Sequence, residues 1–111
     1  NGTRPFCGAT YTSTKGALNT LTKNVAIRLV DTNIRCNAVA PGATVTPAHL
    51  ANKAGEQPGG AEMLKYSGHF VYFPGPECDP MDQAYACLYL ASKMGRAVRG
   101  QVIQVCNGAF L

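Results

Sequence analysis

Hydrophobic residues recur at helical spacing in two parts of the chain. Between about Thr10 and Val30 the apolar positions lie three or four residues apart, on one helix face. A similar stripe follows Asp79, which is a favourable N-cap, and Pro80, which suits a first helical position. The pattern predicts two long helices, over about 10–30 and 80–94. Their apolar stripes are Leu18, Leu21, Val25 and Leu29, and Ala84, Cys87, Leu88 and Ala91.

Two residues refine the first helix. We expect Asn33 to end it in the left-handed conformation that asparagine tolerates. Gly16 lies inside the helix, where glycine costs about 1 kcal/mol relative to alanine. We therefore expect a neighbouring element to pack closely on Gly16.

Two short apolar runs are bounded by turn residues and predict strands. The first spans 34–40 and stops at Pro41-Gly42, and the second spans 101–106 before Asn107, which tolerates a positive φ. Helices that alternate with short buried strands predict an α/β layered fold with parallel strands. Because two such strands form a sheet of marginal stability, we expect this chain to be part of a larger sheet.

The segment between these elements, residues 43–77, is rich in glycine and proline. It has room for a short helix around Pro47–Lys53 and another around Ala61–Tyr66. A long irregular segment inside a compact domain is usually either a functional lid or disordered.

Composition narrows the class of protein. The length of 111 residues fits one small domain or part of a larger one, and 46% hydrophobic with 14% charged residues favours a packed core. The net charge of +4 is dispersed, with no basic cluster denser than Arg96 to Arg99, so a nucleic-acid surface is not predicted. No apolar run reaches the roughly 18 residues of a membrane span, so a membrane partner is not predicted either.

The cysteines indicate the compartment. There are five, an odd number, and their spacing includes no CxxC pair typical of zinc or redox sites. We expect free thiols, no metal and no disulfide framework, which predicts a cytoplasmic protein.

Tyr11 and Lys15 are the first candidate for chemistry. Residues four apart lie on one helix face, about 5–6 Å between their Cβ atoms. An ammonium group close to a phenol favours phenolate and lowers a pKa that is ordinarily about 10. The pair is therefore suited to moving a proton on or off a carbonyl or hydroxyl oxygen. A tyrosine and a lysine at this spacing are also common by chance on helix surfaces.

The neighbouring sequence resembles the classical short-chain dehydrogenase/reductase family. In that family YxxxK opens a long helix, a strand similar to IRxNxxxPG follows, and a threonine comes shortly after; here these are Tyr11–Lys15, Ile34–Gly42 and Thr46. Asp79-Pro80 and Gly100–Val105 resemble the last helix start and last strand. The resemblance covers nearly the whole chain. It implies the C-terminal part of a Rossmann-like doubly wound parallel sheet, in the order helix, strand, lid, helix, strand, incomplete on its own.

The resemblance also implies an activity. It is hydride transfer between NAD or NADP and a carbonyl/alcohol pair, with Tyr11 as general acid/base. Lys15 would lower the pKa of that tyrosine and bind the nicotinamide ribose. The nicotinamide side of the cofactor would be lined by Pro41, Gly42, Thr44 and Thr46.

Residues 43–77 would form the substrate-binding lid. Its many apolar residues suit an apolar or ring-shaped substrate, although they could equally pack the lid or a subunit contact. His49 could contact the substrate or be a solvated loop histidine. The candidate substrate contacts are Phe6, Cys7, His49, Tyr66 and Phe70.

The chain departs from the family pattern in two ways. Its last strand ends in Cys106-Asn107-Gly108 where the family usually has Asp-Gly-Gly. The family's glycine-rich phosphate loop and catalytic serine would lie before Asn1. We therefore interpret 1–111 as the C-terminal portion of one enzyme domain, whose partners are its N-terminal half and, as in the family, further copies in a dimer or tetramer. The alternative is a non-catalytic remnant or assembly module that keeps the oligomer-forming surfaces.

Overall fold

A computed structural model describes residues 8–51, 60–72 and 74–110. The predicted order of the helices and strands is confirmed, and two short helices lie in residues 43–77, the segment predicted to be a lid. Two candidate substrate contacts, Phe6 and Cys7, lie outside the described residues. The elements are α1 (Ala9–Arg28), β1 (Ala38–Pro41), α2 (Pro47–Ala51), α3 (Gly60–Ser67), α4 (Pro80–Ala91) and β2 (Val102–Val105), with a 3₁₀ turn at Lys93–Gly95.

The start of α4 is fixed by a capping box, as its sequence predicts. The Asp79 carboxylate accepts a hydrogen bond from the Met81 N–H at 2.8 Å, and the Asp82 carboxylate accepts one from the Asp79 N–H at 2.8 Å. These bonds satisfy donors that a helix N-terminus leaves without intrahelical partners.

The end of α1 differs from the prediction. Asn33 is not left-handed, because Asn107, with φ 47°, is the one non-glycine residue of the described ranges with a positive φ. The chain instead leaves the helix through a turn in which the Thr32 N–H donates to the Leu29 carbonyl at 3.0 Å. The predicted left-handed turn after the last strand, at Asn107-Gly108, is confirmed.

The two strands pair in parallel, with Ala38 opposite Val102 and Pro41 opposite Val105. The predicted first strand is shortened, since Asn37 pairs through its side chain. Its Oδ1 accepts from the Gln101 N–H at 3.0 Å, and its Nδ2 donates to the Val98 carbonyl at 2.9 Å. These bonds set the register at the amino ends of both strands.

Arg99 joins α1 to the sheet. Its guanidinium donates to the carbonyls of Leu29 at 2.9 Å, Ile34 at 2.6 Å and Thr32 at 3.1 Å. These carbonyls belong to the helix C-cap, Leu29, and to the segment that connects α1 to β1. Arg99 therefore holds α1 at a fixed position beside the start of β2.

The described part of the chain encloses little core. Its buried apolar residues are Ala26 and Cys78, whereas large residues such as Leu18, Leu21 and Leu88 are more than half exposed. The radius of gyration is 15.8 Å, above the roughly 13 Å of a compact domain of about 100 residues. Among the described residues Leu18 and Leu21 of α1 therefore have no covering layer, and the α/β fold is incomplete, as predicted.

Two glycines give a matched stability prediction. A Cβ at Gly42 would lie 2.6 Å from the Cys106 Cβ, whereas a Cβ at Gly16 would meet nothing within 4 Å, so the close neighbour expected at Gly16 is not in the described chain. Gly42→Ala should destabilise the protein by about 1–3 kcal/mol through overpacking. Gly16→Ala should stabilise it by up to about 1 kcal/mol through helix propensity. Denaturant titration measures both, and equal effects would contradict this packing.

Candidate functional site

A cavity of about 610 Å³ lies where α1, the carboxyl end of β1, the lid and the turn after β2 meet. It brings together five of the candidate residues, which are Tyr11, Lys15, Pro41, Gly42 and His49. The carboxyl end of parallel strands is where α/β sheets bind their ligands.

Tyr11 and Lys15 are neighbours on α1 and line the cavity together. The Lys15 Nζ lies 5.5 Å from the centroid of the Tyr11 ring, within the distance of a cation–π contact. The Tyr11 side chain is 53% exposed, so its hydroxyl is accessible to a ligand. The proximity expected from their spacing in the sequence is therefore present in the structure.

Pro41 and Gly42 provide backbone at the cavity wall. The Gly42 N–H donates to the Val105 carbonyl at 2.8 Å, which continues the strand pairing beyond Pro41. The backbone at Gly42 approaches Cys106 so closely that a side chain there would clash. Glycine therefore allows this wall to form directly beside β2.

Thr44 and Thr46 are not among the described cavity-lining residues. The Thr44 hydroxyl donates to the Gly42 carbonyl at 3.1 Å, and its backbone forms a bridge with Cys78. The Thr46 hydroxyl accepts from the His49 N–H at 3.1 Å, as a residue preceding a helix commonly does. Both side chains therefore stabilise the path of the chain as it leaves β1.

The lid contributes a different set of residues from the one predicted. Tyr66 and Phe70 are 64% and 41% exposed and are not among the described lining residues, whereas Leu64 and Val71 are. A separation of two residues along a helix corresponds to a rotation of about 200°, so Leu64 and Tyr66 point to different sides of α3. Apolar character alone could not show which side faces the cavity.

His49 lines the cavity and is bound to Glu77. The His49 Nε2 lies 2.8 Å from the Glu77 Oε1, and the two side chains are 40% and 45% exposed. Glu77 was not among the predicted site residues, because it lies 28 positions from His49 and meets it only through the path of the lid. Asn19 was not predicted either; it lines the cavity four residues after Lys15 and could have been found from its helix face.

Cys78 lies behind this wall and is 2% exposed. Burial raises the pKa of its thiol above the ordinary 9.0, and the nearby Asp82 and Cys106 act in the same direction. Cys87, on α4, is exposed, and the four cysteines of the described ranges are free thiols.

The thiols should differ in reactivity. Alkylating reagents attack the thiolate, so at neutral pH Cys87 should be modified first and Cys78 only after unfolding. The raised pKa also makes the free energy of unfolding depend on pH. The folded state favours the protonated thiol of Cys78, so this thiol's contribution to stability is present below pH 9 and is lost as the pH rises further. Peptide mass spectrometry after iodoacetamide treatment, with and without denaturant, measures this order. Equal labelling of both cysteines in the folded protein would contradict it.

The residues that the structure covers contain neither a cluster of metal ligands nor a membrane-spanning helix. Within these ranges no three histidine, cysteine or acidic residues are grouped as metal ligands. Nor is any helix in them long and apolar enough to cross a bilayer.

The parallel sheet and the cavity at its carboxyl edge define an α/β protein of the Rossmann type. The family model described as enoyl-(acyl carrier protein) reductase matches residues 4–109. The chain belongs to the short-chain dehydrogenase/reductase family.

Similar proteins agree with this assignment. An uncharacterised oxidoreductase of Bacillus subtilis is 38% identical over 91% of this chain and 33% of its own length. The 7alpha-hydroxysteroid dehydrogenase of Bacteroides fragilis is 36% identical over 91% of this chain and 36% of its own. A structure of 7 alpha-hydroxysteroid dehydrogenase with NADH and 7-oxo glycochenodeoxycholic acid superposes with a TM-score of 0.67, at 32% identity over 90% of this chain and 36% of that one. The chain thus spans about a third of the length of these relatives.

Proposed function

We propose that this chain is the C-terminal part of an NAD(P)-dependent enzyme that interconverts a carbonyl and an alcohol. The observation that carries the proposal is the position of Tyr11 and Lys15 in one cavity with Pro41 and Gly42. Family membership supports the reaction class, and the NADH in the similar hydroxysteroid dehydrogenase structure supports the cofactor.

Tyr11 would act as the general acid and base. Its exposed hydroxyl would donate a proton to the substrate oxygen as the carbonyl is reduced, and would accept it in the reverse direction. The ammonium of Lys15 lies 5.5 Å from the centroid of the ring, so its positive charge would act on the phenol oxygen during proton transfer.

In this proposal the cavity would hold the nicotinamide end of a dinucleotide. Lys15 would bind the ribose beside it, and the backbone of Pro41 and Gly42 would lie against the ring. The bound cofactor would supply or accept the hydride. The described ranges offer no glycine-rich loop that opens a helix to bind the pyrophosphate.

We propose that the N-terminal part of the same domain supplies that loop and the catalytic serine. The exposed apolar face of α1 and the sheet of two strands are surfaces that such a part would cover. Residues 43–77 would then close over the substrate as a lid. Cytoplasmic location and assembly into a dimer or tetramer belong to the same proposal.

The substrate would be predominantly apolar. Leu18, Leu64 and Val71 line the cavity together with the alanines around β1. Because similar proteins are named hydroxysteroid dehydrogenases, ketosteroids are the first substrates to test.

Replacing Tyr11 tests this function. In the full-length protein, Tyr11→Phe removes the hydroxyl and keeps the ring, so turnover should fall by about 10²–10⁴-fold. The matched control is Tyr85→Phe, on the exposed surface of α4, which should keep wild-type turnover. Oxidation of NADH and NADPH is followed with a panel of apolar ketones.

Unchanged turnover in Tyr11→Phe would contradict the proposed role. A wild-type protein that neither binds the cofactors nor turns over any ketone would favour the non-catalytic assembly module. The exposed apolar residues of α1 and α4 would then be its contact surface, and light scattering would detect the assembly.

A further inference from the structure

We propose that His49 is a specificity-determining residue and that Glu77 positions it. The pair would select a substrate with an apolar ring system, a carbonyl that is reduced, and a separate hydroxyl group that donates a hydrogen bond to His49. This inference rests on the proposed function for the identity of the reacting carbonyl, but its binding step is independent of Tyr11.

The hydrogen bond between the two side chains fixes the tautomer of His49. An ionised carboxylate can only accept a hydrogen bond, so the Nε2 that lies 2.8 Å from Glu77 must carry a hydrogen. In the neutral ring the other nitrogen, Nδ1, is then an acceptor. Among the residues that the structure covers, Nδ1 has no hydrogen-bond partner, although the residue lines the cavity.

Glu77 is itself held in place from the opposite side. The Asn107 Nδ2 donates to the Glu77 carbonyl oxygen at 3.2 Å, from the left-handed turn that follows β2. An aspartate at position 107 could not donate this bond, since an ionised carboxylate has no hydrogen. Asn107 therefore helps to hold the backbone of Glu77 beside the cavity.

His49 is also fixed through its backbone. The Thr46 hydroxyl accepts from the His49 N–H at 3.1 Å, and the Thr46 carbonyl accepts from the Leu50 N–H at 2.9 Å. His49 is thus held at its ring by Glu77 and at its backbone by Thr46. Orienting contacts of this kind let a side chain discriminate between ligands without first losing conformational freedom.

The polar pair of His49 and Glu77 lies beside a largely apolar part of the cavity. Its lid side is contributed by Leu64, Val71 and Tyr72, and its β1 side by small apolar residues. Tyr11 and Lys15 are assigned to the reacting carbonyl and cofactor. On the lid side, the polar side chains that line the cavity are those of His49, Glu77 and Tyr72. His49 is the one whose ring nitrogen is hydrogen-bonded to a neighbouring carboxylate, which leaves its other nitrogen for a second polar group on an apolar substrate.

Two matched probes test the proposal in the full-length protein. One is a 7-oxo steroid with a hydroxyl at carbon 3, and the other is its 3-deoxy analogue. Their Kd values are measured by NMR titration at about pH 8, which lies above the ordinary titration range of imidazole. A hydrogen bond contributes about 0.5–1.5 kcal/mol, so the hydroxylated probe should bind about three- to tenfold more tightly.

Variants of His49 and Glu77 distinguish a role of Glu77 in positioning the His49 ring from a role in the stability of the fold. His49→Leu should abolish the preference, and Glu77→Ala should weaken it because the ring is no longer oriented. Glu77→Gln should retain it, since the amide oxygen still accepts from Nε2. The control is His69→Leu, an exposed histidine outside the described cavity lining, which should behave as wild type.

Equal affinity for the two probes, binding of neither, or a preference that survives His49→Leu would overturn the proposal. Glu77→Ala with the wild-type preference would overturn the role of Glu77. The preference is a ratio of two Kd values and needs no turnover, so failure of the proposed catalysis is read separately from failure of this recognition.

Discussion

The parallel pairing of β1 with β2 is the constraint on which the other features of this structure depend. Asn37 sets the register at one end of the pair, and Gly42 closes it at the other, where the absence of a side chain lets the backbone meet Cys106. This contact directs the chain after β1 past the turn that follows β2. The cavity wall, the bridge of Thr44 to Cys78 and the position of α2 all follow from that direction.

Polar bonds contribute to the position of α1. Arg99 donates to carbonyls of the helix C-cap and of the segment that follows it, while Leu18 and Leu21 of the apolar stripe remain exposed. A helix fixed at one end in this way presents Tyr11 and Lys15 at the other end, beside β1. The geometry of the Tyr–Lys pair is set within α1, because the two residues lie about one turn apart on the same helix.

The sequence predicts the features that depend on local interactions. The α4 cap, the neighbouring positions of Tyr11 and Lys15 and the positive φ of Asn107 follow from residues close together in the chain. The parallel strands were predicted differently, from the alternation of helices and short strands along the whole chain. Features that depend on the path of the lid were missed. The pairing of His49 with Glu77 and the outward position of Tyr66 are tertiary outcomes, and Asn33 was overridden by the turn at Thr32.

Lys15 offers the most direct measurement of the central claim, which is that α1 and the end of β1 form half of a reductase site. Lys15→Met and Lys23→Met remove the same charge from the same helix, but only Lys15 is among the described residues that line the cavity. We predict that kcat for NAD(P)H-dependent ketone reduction by the full-length protein falls at least about tenfold in Lys15→Met and is unchanged in Lys23→Met, since the smallest effect of one positioned proton-transfer group is larger than this. Equal kcat values for the two variants would contradict the claim.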